Sequence, residues 1–277
     1  MENKNNDKAF KDLIKLERKA LLKKEKEELK EVKKESSFLD RFKKKLIKDK
    51  KNQKKKIIKE KHRKLNEPPR LYVEEEIGNA ISHGAGCLIT ICFFVLMLIY
   101  SNTPLKVLAS FFYGISMIVL MLNSCLYHAF KSGSTVKRIW RRFDYLSIYL
   151  LIGGTYAPIF LVNLGGTLGI VLFIIQWAII CAGVTICSIF GPGRFKWVHF
   201  VLYFVIGWAG ILIIPKWISS DLPLLIYILA GGAVYTLGMI PFAMKNKRNA
   251  HLLWHMFVLA GCFVQWLGIF LYIYMGK

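Results

Sequence analysis

The sequence predicts an all-α, polytopic membrane protein: seven transmembrane helices behind a basic N-terminal cytoplasmic tail. Three observations predict it. Residues 71–277 carry 13 Lys and Arg and only five acids, Glu74, Glu75, Glu76, Asp144 and Asp221. A soluble domain is normally about a quarter charged, so the solvent of this part is lipid. Seven apolar runs follow one another near 80–100, 107–130, 144–163, 166–190, 197–214, 222–243 and 250–274, each long enough to cross about 30 Å of hydrocarbon. Finally, the Lys and Arg content of the connections alternates between low and high along the chain, as the positive-inside rule requires.

The tail comes first. Residues 1–70 hold 27 Lys and Arg against 13 acids, so the overall pI of about 9.8 averages two unlike parts. Phe10 to Val32 has good helix formers with acid–base neighbours at helical spacing, which favours an exposed helix. Arg41 to Lys64 packs 14 basic residues against Asp49 and Glu60. Such a block repels itself and is expected to stay extended or marginally helical, leaving the tail disordered or partly helical. The partner expected for it is the anionic headgroups of the cytoplasmic leaflet. A solvated tail with no dedicated partner is the alternative; nucleic acid, the runner-up for a basic block, is not expected. Pro68-Pro69 ends any helix and sets the domain boundary, with a tail at 1–70 and a membrane domain at 71–277. No signal peptide pattern opens the chain.

The runs are continuously apolar and do not alternate, which excludes a β-barrel. Of the connections, Ser101–Lys106 holds Lys106 alone. Lys131–Phe143 holds Lys131, Lys137, Arg138, Arg141 and Arg142, and Asn163–Gly166 holds none. Gly191–Lys196 holds Arg194 and Lys196, Pro215–Asp221 holds Lys216, and Met244–Asn249 holds Lys245, Lys247 and Arg248; the chain ends on Lys277. The expected topology is an N-terminus in the cytoplasm and a C-terminus outside a plasma membrane. The six cysteines all lie in apolar runs with no C-x-x-C spacing, and read as small core hydrophobes. Gly153-Gly154-Thr155-Tyr156-Ala157-Pro158 reads as a small-residue packing surface with a proline kink.

Polar residues inside the spans are the functional candidates. His251 and His255 stand four apart at the start of the seventh run, hence on one helical face. Ser124 and His128 have the same spacing at the end of the second run, and Asp144 opens the third. With the expected topology all lie at the cytoplasmic end. His128, His251 and His255 supply the three protein ligands of a catalytic zinc site, with one position left for water. Asp144 then contacts the metal through that water or orients an imidazole, and Ser124 is a hydrogen-bond donor for the water or a substrate carbonyl. Each has a plainer alternative. Asp144 suits a helix N-terminus and follows Arg141 and Arg142; Ser124 can bond back to its own helix. His83 is expected as a core histidine fixing the first span to a neighbour, and His199 as an interfacial residue.

These residues resemble a known family. Ser124-x-x-x-His128, the following Asp144 and His251-x-x-x-His255, together with EEIGNAISHGAG at 75–86, GTYAP at 154–158 and HLLWHMFVLAG at 251–261, look like the bacterial hemolysin III proteins, within the progestin and adiponectin receptor (PAQR) family. The resemblance covers about 72–275. It implies seven helices with the N-terminus inside, zinc held at His128, His251 and His255, and an aspartate, Asp144, near the metal's water. It also implies ceramidase-like hydrolysis of a lipid amide or ester, since the adiponectin-receptor members are associated with that activity. Two other readings stand beside hydrolysis: a pore-forming, cytolytic hemolysin, and a receptor-like sensor in which zinc is structural.

Overall fold

The computed structural model describes residues 2–244 and 247–276, with side chains from Glu17 onward. Lys245 and Lys277, counted above in the loop charge, lie outside the described residues. The chain divides into two units, 1–61 and 62–277.

In the first unit the backbone is one α-helix, α1, that runs from Glu2 and ends at Leu65 inside the second unit. Lys and Glu are strong helix formers, and their frequent i, i+4 pairing supports a helix through a stretch whose net charge alone favours extension. Its apolar residues, such as Leu29, Leu39, Leu46 and Ile57, are exposed.

Among the described residues, the second unit holds seven helical segments long and apolar enough to cross a membrane. They begin with α2 (Val73–Ile99), α3 (Pro104–Ala129) and α4 (Thr135–Ala157), the last extended by a π-helical stretch, Pro158–Leu164. Then come α5 (Gly166–Phe190), the pair α6 (Lys196–Gly207) and α7 (Ile214–Ser220), α8 (Leu222–Ala243) and α9 (Ala250–Ile269). No strand occurs among the described residues. The start of α3 follows from Thr103, whose hydroxyl accepts from the Lys106 N–H, with Pro104 in the first turn; Ser134 caps α4 in the same way through Lys137 N–H.

Lipid-facing positions such as Leu88, Ile170, Ile174 and Ile226 are exposed, as a bilayer solvent demands. Inside, Tyr113, Met117, Met121, Ile159 and Ile269 are fully buried. Helix α2 packs on α3, α3 on α4 and α8 on α9, and α9 closes against α2. That closure brings the first and last spans together. Small residues permit the approach: a Cβ on Gly154 would stand 2.7 Å from the Phe112 carbonyl oxygen, and one on Gly86 would stand 2.5 Å from Leu259 Cδ2.

Four expectations are corrected, the first being that Asp144 opens the third span: α4 starts at Thr135, so Asp144 lies inside the helix and not at its N-terminus. The fifth span does not stop at 214: a 3-10 stretch at Ala209–Ile213 leads into α7, so Pro215–Ser220 is helix and not connection. Proline there sits in the first turn, where no N–H is needed. The break is repaired from outside, because the Tyr156 hydroxyl donates to the Gly207 carbonyl (2.7 Å) and accepts from the Gly210 N–H (2.9 Å). His199, expected at the interface, is 1% exposed and shares a 2.8 Å hydrogen bond with Tyr149 OH. The six cysteines are free; Cys187 and Cys262 are buried as expected, but Cys92 and Cys181 face outward.

Asn66 is buried and belongs to the second unit. Its Nδ2 donates to the carbonyls of His62 (3.1 Å) and Phe190 (3.0 Å), and its Oδ1 accepts from Gly193 N–H (2.9 Å). Arg141 Nη1 donates to the Asn66 carbonyl at 3.0 Å.

Candidate metal centre

One end of the bundle gathers the predicted polar residues. His128 comes from the last turn of α3, and His251 and His255 from the first turns of α9. The three offer nitrogens that all lie within 4.8 Å of one another. His128 Nε2 and His251 Nε2 are 3.2 Å apart. Two tetrahedral ligands at 2.0–2.1 Å from a common ion would be separated by about 3.3 Å, so the spacing fits a shared metal. His128 and His255 are almost fully buried, and His251 is half-buried.

The hydrogen-bond partners decide which ring nitrogen is free. Ser82 donates its hydroxyl proton to the Asn79 carbonyl (2.9 Å), so at His255 Nδ1, 3.3 Å away, it can only accept. That leaves His255 Nδ1 protonated and Nε2 with its lone pair. At His128, Glu76 Oε2 lies 2.7 Å from Nδ1. Glu76 Oε1 pairs with Lys137 Nζ at 2.9 Å, and Lys137 is completely buried.

Ser124 is buried beside the half-buried Asp144 carboxylate, with His128, Arg141 and Lys137 also around that carboxylate. Asp144 is not one of the three clustered ligands. The Arg141 side chain turns to the carbonyls of Asn66 and Glu67, so the plain ion-pair alternative is at most part of its role. His83 is buried and stacked on His255, the core role expected for it.

The neighbouring acids were not singled out from the sequence. Each of the three consecutive glutamates has a separate task. Glu74 pairs with Arg248 at 2.7 Å. Glu75 accepts from the Tyr72 N–H (3.2 Å) and from the Asn249 N–H, and so joins the starts of α2 and α9. Glu76 faces His128. The available signal was scarcity: three of the five acids of 71–277 stand together.

The haemolysin-III related family profile matches residues 71–266. The chain belongs to that family. Hemolysin-3 of Bacillus cereus is 34% identical over 206 residues, covering 73% of this chain and 93% of the relative. The Hemolysin-3 homolog of Bacillus subtilis (strain 168) is 33% identical over 204 residues, covering 72% and 95%. Human monocyte to macrophage differentiation factor is 28% identical over 174 residues, covering 60% and 71%, which fits the family's placement among the PAQR proteins. As a haemolysin-III protein, this chain is a seven-span membrane protein, and α1 lies wholly outside the matched region.

Proposed function

We propose that this protein is a zinc-dependent hydrolase of a lipid amide or ester, ceramidase-like, with its site near the cytoplasmic face of the plasma membrane. The observation that carries the reading is the convergence of His128, His251 and His255 within 4.8 Å, with no fourth His, Cys, Asp or Glu in the group among the described residues. A structural zinc site is usually closed by four protein ligands, and a catalytic one keeps a position open. Borderline-soft zinc suits an all-imidazole set better than magnesium or calcium do. When bound, zinc supplies a Lewis acid and an activated water at neutral pH.

The chain's own residues supply the rest. Asp144 holds or accepts a proton from the water that attacks the lipid carbonyl. Ser124, beside it, donates a hydrogen bond to the carbonyl oxygen as it gains charge. The N-terminus is read as cytoplasmic, from loop charge, and the Lys-rich α1 as attracted to anionic lipid headgroups.

The names of the two bacterial relatives favour a second reading, a membrane-perturbing hemolysin, for this chain. One experiment separates the two. Purified protein in nanodiscs is assayed for zinc content, for cleavage of a panel of ceramides and phospholipids, and for dye leakage from liposomes. Hydrolysis that disappears with zinc removal supports the first reading. Leakage without cleavage of any lipid supports the second.

A further inference from the structure

We propose that Glu76 is a positioning residue that sets the tautomer of His128, and that Lys137 fixes which way Glu76 must serve it. The inference rests on the zinc reading of the three histidines and concerns how one of them is prepared.

Lys137 is 0% exposed. An ammonium has three donors and no acceptor. Here all three are used at short range: Glu76 Oε1 at 2.9 Å, the Tyr127 carbonyl at 3.0 Å and the Phe130 carbonyl at 3.1 Å. Both carbonyls belong to the C-terminal end of α3, where the helix leaves its acceptors unpaired and favours a cation. Lys137 is therefore a plug at the end of the helix that carries His128, inserted from the first turn of α4.

The plug constrains the carboxylate. Glu76 Oε1 accepts from Lys137 and, at 3.3 Å, from the Ser132 hydroxyl. Oε2 is left for His128 Nδ1 at 2.7 Å. A carboxylate bound to an ammonium offers only acceptors, so the proton of this contact sits on Nδ1. Nε2 then carries the lone pair, and Nε2 is the atom that faces His251. Partners of this kind commonly fix both tautomer and ring orientation of a metal-binding histidine.

This arrangement makes an unusual ordering of variants. In Glu76→Gln the single amide oxygen goes to Lys137, which must have an acceptor. The NH2 then replaces Oε2, donates to Nδ1 and drives the proton to Nε2, the wrong tautomer for a ligand. Glu76→Ala removes the partner but imposes no tautomer. The isosteric change is therefore the more damaging one. Adding Lys137→Met to Glu76→Gln frees the amide to turn its oxygen toward Nδ1–H and restores the lone pair on Nε2.

The test is zinc affinity by competition with a chromophoric chelator, alongside the visible spectrum of Co2+-loaded protein and thermal unfolding of the metal-free protein. Relative to the parent chain we expect affinity about 100-fold weaker in Glu76→Gln and about tenfold weaker in Glu76→Ala, within the range of such partners. The Glu76→Gln/Lys137→Met protein should bind more tightly than Glu76→Gln alone. The Co2+ spectrum should change in Glu76→Gln. A purely structural Glu76 would give the reverse order, Gln milder than Ala, and that order, or parental affinity in Glu76→Gln, overturns the inference. Should the double variant fail to fold, the Gln–Ala order alone decides. Absence of zinc binding by the parent chain would instead overturn the reading of the triad itself.

Discussion

His83 lies flat on His255, with ring centroids 3.7 Å apart and planes 12° from parallel. The stack joins α2 to α9 and holds the His255 ring with Nδ1 toward Ser82. Packing, and not ligation, is thus the task assigned to His83. His83→Phe should keep near-stoichiometric zinc, because a flat ring remains. His83→Ala should weaken zinc about tenfold, the low end of the effect of outer groups on a metal site. Equilibrium dialysis with metal analysis measures both; loss of zinc in His83→Phe would make His83 a ligand.

Asp144→Ala should retain zinc and lose hydrolysis, since a group outside the ligand set tunes the reaction more than it holds the ion. Ser124→Ala should be milder, up to about 100-fold in kcat, corresponding to about 3 kcal/mol for one oxyanion hydrogen bond. Parallel measurement of zinc content and lipid turnover separates the two roles; turnover unchanged in Asp144→Ala would remove it from the chemistry.

The fifth span depends on a side chain from another helix. Tyr156→Phe leaves the Gly207 carbonyl and the Gly210 N–H without their shared hydroxyl. Each unmet backbone group in apolar surroundings costs about 1–3 kcal/mol, so the variant should lose about 2 kcal/mol or more. Reversible unfolding in mixed micelles provides the measurement, and stability equal to the parent chain would mean that the break repairs itself.

Reporter fusions test orientation. Fusions after Asn163 and after Lys277 should read outside, and one after Lys137 inside, because the Lys- and Arg-rich connections are retained in the cytoplasm. An inside signal after Lys277 would contradict an odd number of crossings.

The tail should add electrostatic attraction without carrying the fold. Protein lacking residues 1–61 should keep its zinc. The isolated tail, residues 1–61, should bind vesicles containing phosphatidylserine at low salt and release them as ionic strength rises, since a surface potential acts only within a Debye length. Vesicle sedimentation reports this; equal binding to neutral vesicles would point to apolar contact instead.

Much of this protein is legible in its sequence for one physical reason: a bilayer imposes a length and a polarity on every segment that crosses it. Each of the seven runs therefore lies essentially within one helical segment, but not all the ends agree. The first and third helices begin well before their apolar runs, at Val73 and Thr135, because polar and basic residues fill their opening turns, and the fifth runs on to Ser220, since Pro215 reads as a stop although it opens a helical turn. The histidines are legible because helical spacing puts His251 and His255 on one face and because imidazole is rare among lipid-facing residues. Their support is not. Glu76 precedes the apolar run and looks like a flanking charge; Lys137 counts as one more basic loop residue. Nothing local distinguishes a buried lysine from a solvated one, because its acceptors come from α2 and α3. The burial of His199 is hidden for the same reason: Tyr149, its partner, is 50 residues away.

Asn66 gives the chain a natural seam. The family profile begins at residue 71, yet the side chain that fastens the membrane unit to its α5–α6 turn stands upstream of it. A cut placed at the start of the recognisable pattern would remove a fastening that the pattern does not advertise. Residues before His62 fall outside that unit. A cut placed ahead of His62 leaves Asn66 and its hydrogen-bond partners together in one unit.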